Sequence, residues 1–210
     1  MVYHDDPLNL VISGVGGQGN ILLSRLIGRS LLRKGYHVAV GETLGVAQRG
    51  GAVMSNLRAS KKMPVGPLIP EGKAHIILSL EPLETLRMLV RYGNPQVTTI
   101  TNFNPLFPVS VLSRKDRYPE YDALKGAIAK LSASAWFLDA TGMGLELGAP
   151  IVANVIILGG LISLNLLPLT RDDIEEELKA SFSPDRVKLN LKALNLGMES
   201  IASIRRLAIS

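Results

Sequence analysis

The feature that most constrains this chain is a glycine-rich loop between a predicted strand and a predicted helix. The apolar run 8–13 predicts a strand, residues 14–19 contain four glycines, and residues 20–27 predict the start of a helix. Glycine lets the backbone turn sharply and approach another molecule without a Cβ clash. Because the first amides of a helix are unpaired and carry the positive end of the peptide dipoles, this loop predicts an anion site, most often for phosphate.

The loop alone leaves the kind of anion open. Gly14, Gly16 and Gly19 satisfy the Gly-x-Gly-x-x-Gly pattern of dinucleotide sites, and Glu42 ends the second predicted strand, near where a ribose-binding acid would lie. An NAD(P)-binding Rossmann oxidoreductase is therefore one interpretation. A Walker-type triphosphate site is excluded, because no Gly-Lys-Ser/Thr follows the loop. A further interpretation is a glycine turn that only packs the helix against the strand, in a purely structural protein.

Composition narrows the classes of function. The 210 residues include no cysteine, which excludes disulfides, thiolate zinc sites and cysteine-ligated iron–sulfur clusters in this chain. His4, His37 and His75 are far apart and show no metal-ligand spacing, so we expect no metal site. The net charge is +5, but the basic residues are scattered and aromatic residues make up only 5%, so we expect no nucleic-acid binding. A mean hydropathy of +0.24 favours apolar surface reserved for a protein partner.

No membrane segment is expected. The apolar run 151–167 is shorter than the roughly 20 residues that a spanning helix needs, and it contains Asn154. It predicts a buried helix, in the core or at a subunit interface. Residues 1–7 are polar, from which we expect no signal peptide and a cytoplasmic location.

The order of the predicted elements indicates an α/β fold. Strands alternate with helices, which favours a single domain over residues 1–210, with a mainly parallel sheet, helices on both faces and a Rossmann-like glycine-rich loop after the first strand. Residues 52–58 alternate apolar with polar side chains and predict a half-exposed strand. Thr170 and Asp173 predict a capping box that opens a helix. The remaining strands are expected near 36–40, 74–80, 97–101 and 135–139, and the remaining helices near 81–92, 120–131 and from 184 onwards.

A second glycine-rich cluster precedes the half-exposed strand and consists of Gln48, Arg49, Gly50 and Gly51. An arginine next to glycines can present its guanidinium and the neighbouring amides to a phosphate or carboxylate. A surface turn with a solvated arginine is the alternative. The candidate anion-binding or cofactor-binding residues are thus these four together with Gly14, Gly16, Gly17, Gln18 and Gly19.

No catalytic residue is predicted. Glu81 and Glu84 lie three residues apart at a predicted helix start, which favours capping and a dipole interaction over acid–base chemistry. Asp139 ends a predicted strand, and we expect it to form a structural hydrogen bond to the turn at Thr141 and Gly142.

The two glycine-rich clusters together carry a resemblance to a known family. Residues 14–19 and 42–51 are similar to the gamma-type domain of the 2-oxoacid:ferredoxin oxidoreductases. The stretch 80–87, Leu-Glu-Pro-Leu-Glu-Thr-Leu-Arg, most resembles the indolepyruvate branch; the gamma subunits of the pyruvate, 2-oxoglutarate and 2-oxoisovalerate enzymes are the alternative. Further similar segments follow in order at 67–72, at 153–159 and in a closing segment with Asn190 and Gly197.

The resemblance implies a subunit of an oxidoreductase. Enzymes of this family decarboxylate a 2-oxoacid on thiamine diphosphate, pass electrons through iron–sulfur clusters to ferredoxin and release an acyl-coenzyme A. This chain has no cysteine and no acidic-Gly…Asn segment of the kind that holds magnesium and thiamine diphosphate. The resemblance therefore implies a small (beta) subunit, inactive alone, that holds no cofactor itself and completes the site of a larger alpha subunit. The glycine loop and Arg49 would meet a phosphate of coenzyme A or thiamine diphosphate, or the substrate carboxylate.

Overall fold

The structure is a computed structural model that describes residues 6–42, 51–107, 111 and 117–209, with side chains as far as residue 204. The described residues form six strands, seven α-helices and one short 3-10 turn, Pro150–Val152. The strands are β1 Leu8–Val15, β2 His37–Glu42, β3 Ala52–Ser60, β4 Ile76–Ser79, β5 Thr98–Asn102 and β6 Ser134–Leu138. The helices are α1 Asn20–Arg33, α2 Pro82–Tyr92, α3 Tyr121–Leu131, α4 Ala140–Glu146, α5 Ala153–Ser163, α6 Arg171–Ser181 and α7 Pro184–Ile209.

The strands form one mixed sheet in the order β2-β3-β1-β4-β5-β6. The pairs β1–β4, β4–β5 and β5–β6 are parallel, whereas β3 is antiparallel to both β1 and β2. β2 consequently runs in the same direction as β1, and β3 alone is reversed. The prediction of a mainly parallel α/β sheet is confirmed.

The prediction of a half-exposed strand at 52–58 is wrong. In β3 the residues Met54, Ser55, Asn56 and Leu57 are all buried. The alternation of side chains is present, but β3 lies between β1 and β2 and both of its faces are covered, so its polar side chains are buried as well. The alternation of apolar and polar residues alone does not tell whether a strand lies at the edge or in the interior of the sheet.

Helices cover both faces of the sheet, as predicted. Alternate residues of β1 point to opposite faces, so that Leu10 and Ile12 belong to one core cluster and Val11 to the other. The larger cluster packs α1, α5, α6 and α7 against the sheet, and the smaller one packs α2 and α3. Helix α5 is apolar except for Asn154 and Ser163 and is buried along most of its length, in agreement with the predicted buried helix.

Two local details differ from the predicted elements. The apolar run 151–167 is divided, because the 3-10 turn precedes α5 and the helix ends near Asn165, whose φ of 53° lies in the left-handed region. Helix α4 is not predicted by the sequence, since it is short and contains Gly142 and Gly144. The predicted hydrogen bond at its start is confirmed: Asp139 Oδ1 accepts from Gly142 N–H at 2.8 Å.

The connections after β1 and β4 place a crevice at the carboxyl edge of the sheet. The chain leaves β1 for α1 on one face and leaves β4 for α2 on the opposite face. Because β1 and β4 are neighbouring parallel strands, their connections diverge at that edge. In open α/β sheets this topological switch point is where ligands bind.

Candidate functional site

The glycine-rich loop lies at this switch point. β1 extends to Val15, so Gly14 is part of the strand and the turn itself begins at Gly16. Gly17 and Gly19 have φ angles of 101° and 92°, a left-handed conformation that L side chains rarely adopt. Gln18 N–H donates to the Val15 carbonyl at 3.1 Å and closes the turn. The glycines at positions 17 and 19 are therefore required by the backbone path.

The loop ends at the amino end of helix α1. Gly19 is the N-cap residue of α1, and within the described residues no side chain caps this end. The first intrahelical hydrogen bond runs from Leu23 N–H to the Gly19 carbonyl at 3.1 Å. The amides of residues 20–22 therefore precede the helical ladder and form the positive end of the helix dipole. Such an end can bind an anion in general, and the anion site at this loop stays a prediction.

The side chain of Gln18 is turned back onto the backbone. Its Oε1 accepts from Val15 N–H at 2.7 Å, and its Nε2 donates to the Leu80 carbonyl at 2.9 Å. Leu80 directly follows β4, so this single side chain joins the loop after β1 to the end of the neighbouring strand.

The structure brings part of the second glycine-rich cluster to the first. Gly16 N–H donates to the Gly51 carbonyl at 2.9 Å, which links the loop after β1 to the start of β3. Gln48, Arg49 and Gly50 lie outside the described residues, so their place beside the loop stays a prediction. The contact places Gly51 beside the loop, and the binding role of both clusters stays a prediction.

A cleft of about 270 Å³ opens beside the loop at the carboxyl edge of the sheet. Its lining combines polar side chains with the apolar residues Leu106 and Ile151, which are 45% and 67% exposed. None of the described lining residues is acidic, which suits an anionic ligand. The other lining residues are Gly17, Gln18, Leu80, Asn102, Asn104, Pro105, Thr141, Pro150 and Ala153.

Sequence reasoning missed two polar residues in this cleft, Asn102 and Thr141. Asn102 is only 1% exposed, and its Nδ2 donates to the Leu80 carbonyl at 3.1 Å and to Thr141 Oγ1 at 3.0 Å. Thr141 N–H in turn donates to Asn102 Oδ1 at 3.3 Å. The available signal was the position of Asn102 at the end of a buried parallel strand, which is where α/β proteins place site residues.

Asn154, near the start of α5, packs closely against the loop. It is 2% exposed, and an ideal Cβ on Gly19 would lie 2.1 Å from its Nδ2 atom. A side chain at position 19 would therefore have to displace the Asn154 amide, in addition to adopting an unfavourable φ angle.

The position of Glu42 argues against the dinucleotide interpretation. In a dinucleotide-binding fold, the strand that ends in the ribose-binding acid pairs directly with the strand that precedes the glycine loop. Here β3 lies between β1 and β2, so Glu42 is separated from the loop by a whole strand. Its Oε1 also accepts a hydrogen bond from Ser24 on α1 at 3.3 Å.

The buried carboxylates at the start of α2 have structural partners. Glu81 is the N-cap residue, and its Oε2 accepts from Glu84 N–H at 2.9 Å, as the predicted cap requires. Tyr118 donates its hydroxyl to Glu81 Oε1. Burial raises the pKa of Glu84. The charge of Arg87 partly opposes this increase, and the charge of Glu81 adds to it. Burial, with the bond to Glu81, likewise raises the pKa of Tyr118.

A metal site is not found in the part of the chain that the structure describes, where no three His, Cys, Asp or Glu side chains cluster. His75 has a structural role, because its Nδ1 accepts from Asn9 N–H at 2.9 Å. Among the described helices, none has both the length and the apolar character needed to cross a membrane.

Comparison with known proteins places this chain in a family. The model of the pyruvate ferredoxin/flavodoxin oxidoreductase family matches residues 9–200. The chain belongs to this family. It is 35% identical to the indolepyruvate oxidoreductase subunit IorB of Archaeoglobus fulgidus, over 96% of this chain and 99% of that protein. It is also 35% identical to the IorB subunit of Thermococcus kodakarensis, over 91% of this chain and 95% of that protein.

Solved structures of ferredoxin oxidoreductases share the fold. The gamma subunit of a keto/oxoacid ferredoxin oxidoreductase from Geobacter sulfurreducens superposes with a TM-score of 0.64 at 19% identity, over 93% of this chain and 99% of that one. The 2-oxoglutarate:ferredoxin oxidoreductase of Magnetococcus marinus gives a TM-score of 0.73 at 18% identity. That match covers 95% of this chain but 32% of the other, so the fold is there one part of a longer polypeptide.

Proposed function

We propose that this chain is the small subunit of an indolepyruvate:ferredoxin oxidoreductase. The observation that carries the proposal is the 35% identity to an IorB subunit over nearly the full length of both chains. The reaction is the oxidative decarboxylation of an aryl pyruvate to an acyl-coenzyme A, with ferredoxin as the electron acceptor. The chain has no cysteine, so the iron–sulfur clusters belong to a larger alpha subunit, which also holds magnesium and thiamine diphosphate. Those groups supply the electron-transfer and decarboxylation chemistry when bound.

The part played by this chain is to complete the site with backbone donors. The amides of Gly17 and of residues 20–22 face an anion at the subunit boundary, and Arg49 adds a cation. The anion is a phosphate of coenzyme A or of thiamine diphosphate, or the carboxylate of the substrate. A single contact with a helix end contributes about 0.3–1 kcal/mol, so several donors must converge on one group. The absence of acidic residues from the described cleft lining supports this assignment.

The exposed apolar residues of the cleft support a partner subunit. Leu106 and Ile151 are large, exposed and line the same cleft as the polar side chains, an arrangement that suits burial by another chain. Obligate interfaces commonly bury more than about 2,000 Å², and such an interface would also account for the high mean hydropathy of the sequence.

Purification of the chain from its native source tests the proposal. We expect a larger, brown companion polypeptide that contains iron–sulfur clusters and thiamine diphosphate. The complex should reduce ferredoxin with indolepyruvate and coenzyme A, and neither subunit should do so alone. A panel of indolepyruvate, pyruvate, 2-oxoglutarate and 2-oxoisovalerate then separates the indolepyruvate branch from the other oxoacid enzymes. Turnover of an oxoacid by the isolated chain would contradict the proposal.

Calorimetric titration of the isolated chain with NAD and NADP tests the alternative enzyme class. An NAD(P)-dependent oxidoreductase would bind one of them with micromolar affinity, whereas the proposed subunit should show no such binding. A purely structural subunit is tested by substitutions in the glycine loop. If the subunit is purely structural, these substitutions impair assembly and leave the affinity of the complex for coenzyme A and oxoacid unchanged.

A further inference from the structure

The side-chain amides of Gln18 and Asn102 connect the carboxyl ends of three neighbouring strands, β1, β4 and β5, at the cleft. Gln18, in the loop after β1, donates to the carbonyl of Leu80, which follows β4. Asn102, the last residue of β5, donates to the same carbonyl. Asn102 also exchanges two hydrogen bonds with Thr141 on α4, which follows β6. The row of bonds therefore runs across the carboxyl edge from β1 to the helix after β6.

The polar atoms in this row bond to one another and to the backbone. A carbonyl oxygen has two acceptor sites, and Gln18 and Asn102 take both of those on Leu80. Both hydrogens of Asn102 Nδ2 are donated, and Gln18 Oε1 accepts from Val15 N–H. The bonds to Val15 and Leu80 hold both ends of the Gln18 amide, so its orientation is set by the protein backbone.

We propose that Gln18 and Asn102 are positioning residues, which hold the glycine loop in one orientation towards the cleft and do not themselves bind the ligand. The loop needs such support, because Gly17 and Gly19 have more accessible backbone conformations than other residues. Without the Gln18 bridge the loop amides would point in many directions and bind an anion poorly. This inference deepens the proposed function and rests on it for the role of the loop amides.

Hydrogen exchange on the isolated full-length chain tests the bridge independently of any activity. Gln18→Met keeps the length of the side chain and removes both hydrogen bonds. We expect the amides of residues 14–22 to exchange about tenfold faster in this variant, because about two hydrogen bonds that hold the loop are lost. Exchange in β5 and α5 should stay within twofold of the wild type. Unchanged exchange of residues 14–22 would overturn the proposal.

A pH series separates positioning from general destabilisation. In Gln18→Glu the introduced carboxyl group can donate to the Leu80 carbonyl only when it is protonated. Loop exchange relative to the wild type at the same pH should therefore be about tenfold faster at pH 8 and should approach the wild type only near pH 4, around the ordinary pKa of a glutamate of about 4.3. Gln96→Glu is the matched control, because Gln96 is exposed at the opposite edge of the sheet. A Gln18→Glu series that matches Gln96→Glu at every pH would refute the bridge.

Kinetics of the reconstituted complex distinguish positioning from direct contact. If Gln18 positions the loop, Gln18→Met raises the KM for oxoacid or coenzyme A about tenfold together with the faster loop exchange. A raised KM with unchanged loop exchange would mean direct ligand contact and would overturn the proposal. An assembled complex that turns over no oxoacid would refute the proposed function, and the exchange experiments would still decide whether the bridge exists.

Discussion

Gly197 on α7 lies directly against the backbone of Ile156 on α5: an ideal Cβ at position 197 would be 1.8 Å from the Ile156 carbonyl oxygen. Gly159 on α5 meets the Leu194 carbonyl oxygen of α7 in the same way, at 2.1 Å. Because neither glycine has a side chain, the two helices approach to backbone contact. This close crossing buries α5 beneath α7 and keeps α5 and its residue Asn154 in place beside the glycine loop.

Gly197→Ala should therefore destabilise the fold. The added methyl group has no room, and overpacking of this kind costs about 1–3 kcal/mol, or more where backbone atoms must move. Gly126→Ala is the matched control, because Gly126 is exposed on α3 and nothing lies within 4 Å of an added Cβ. There the change should stabilise the protein by about 0.5–1 kcal/mol. Urea unfolding of both variants provides the measurement, and equal stabilities would contradict the interpretation of the crossing.

Gly19→Ala should distort the amino end of α1. The substitution places a methyl group against Asn154 and also strains the left-handed backbone, at a total cost of about 2–4 kcal/mol. If the contact with Asn154 is responsible for part of this cost, then the double variant Gly19→Ala/Asn154→Ala should recover about 1 kcal/mol relative to the additive expectation. A double-mutant cycle in urea measures the coupling, and strict additivity would show that the φ angle alone is decisive.

The pH dependence of stability should report on Glu84. Burial raises its pKa in the folded state above the unfolded value of about 4.3. The folded state thus binds the proton more tightly, so this contribution to stability is present below about pH 4.3 and is lost as the pH rises through the raised pKa. Glu84→Gln has no such titration. The stability of the variant relative to the wild type should consequently increase between pH 4 and pH 7, as measured by urea unfolding at each pH.

Glu175 is the control for that experiment, because its pKa is shifted in the opposite direction. Hydrogen bonds from Lys179 and Arg171 lower the pKa of Glu175 in the folded state. Its contribution is therefore present above the unfolded pKa and is lost as the pH falls through the lowered value. Glu175→Gln should lose stability relative to the wild type as the pH rises from 3 to 6. If the stabilities of the two variants, each relative to the wild type, change with pH in the same direction, the inferred environment of Glu84 is wrong.

An ion-pair cluster around Glu177 joins α6 to α1 and should contribute to stability. The Glu177 side chain is 1% exposed and lies 3.4 Å from Arg29 Nη1 and 2.7 Å from Arg33 Nη2. Arg29→Met/Arg33→Met leaves this buried carboxylate without a cationic partner, which should cost about 3 kcal/mol. Adding Glu177→Gln should restore part of the loss. Lys34→Met, which breaks an exposed pair with α6, should cost less than about 1 kcal/mol in the same thermal or urea unfolding assay.

Arg49→Ala should lower the activity of the reconstituted complex without preventing its assembly. The loss of one charge-assisted hydrogen bond predicts a decrease of about 10- to 100-fold in kcat/KM. Size-exclusion chromatography checks assembly. Arg91→Ala is the control, because Arg91 is exposed at the end of α2 and the adjacent Tyr92 carbonyl accepts from Ala74 at the amino edge of the sheet. Unchanged turnover and unchanged cofactor affinity would remove Arg49 from the proposed site.

Features that depend on residues close together in the chain were predictable. The helix that opens after Gly19 and the capping box between Thr170 and Asp173 are both confirmed. Each depends on contacts within a few residues, so the pattern of glycines, polar caps and apolar residues is sufficient to predict it. The loop Gly14–Gly19 as a candidate site was readable for the same reason, since a strand, a turn and a helix follow one another directly.

The sequence by itself therefore determined the α/β class, the glycine loop between β1 and α1 and, through its similar segments, the family. Only the tertiary structure decided that β3 is reversed and inserted beside β1, and that Gln18 and Asn102 meet at the carbonyl of Leu80. Those partners are separated by 62 and 22 residues along the chain. Contacts of that kind depend on which strands become neighbours, and strand order is set by packing over the whole sheet, so no local pattern encodes it.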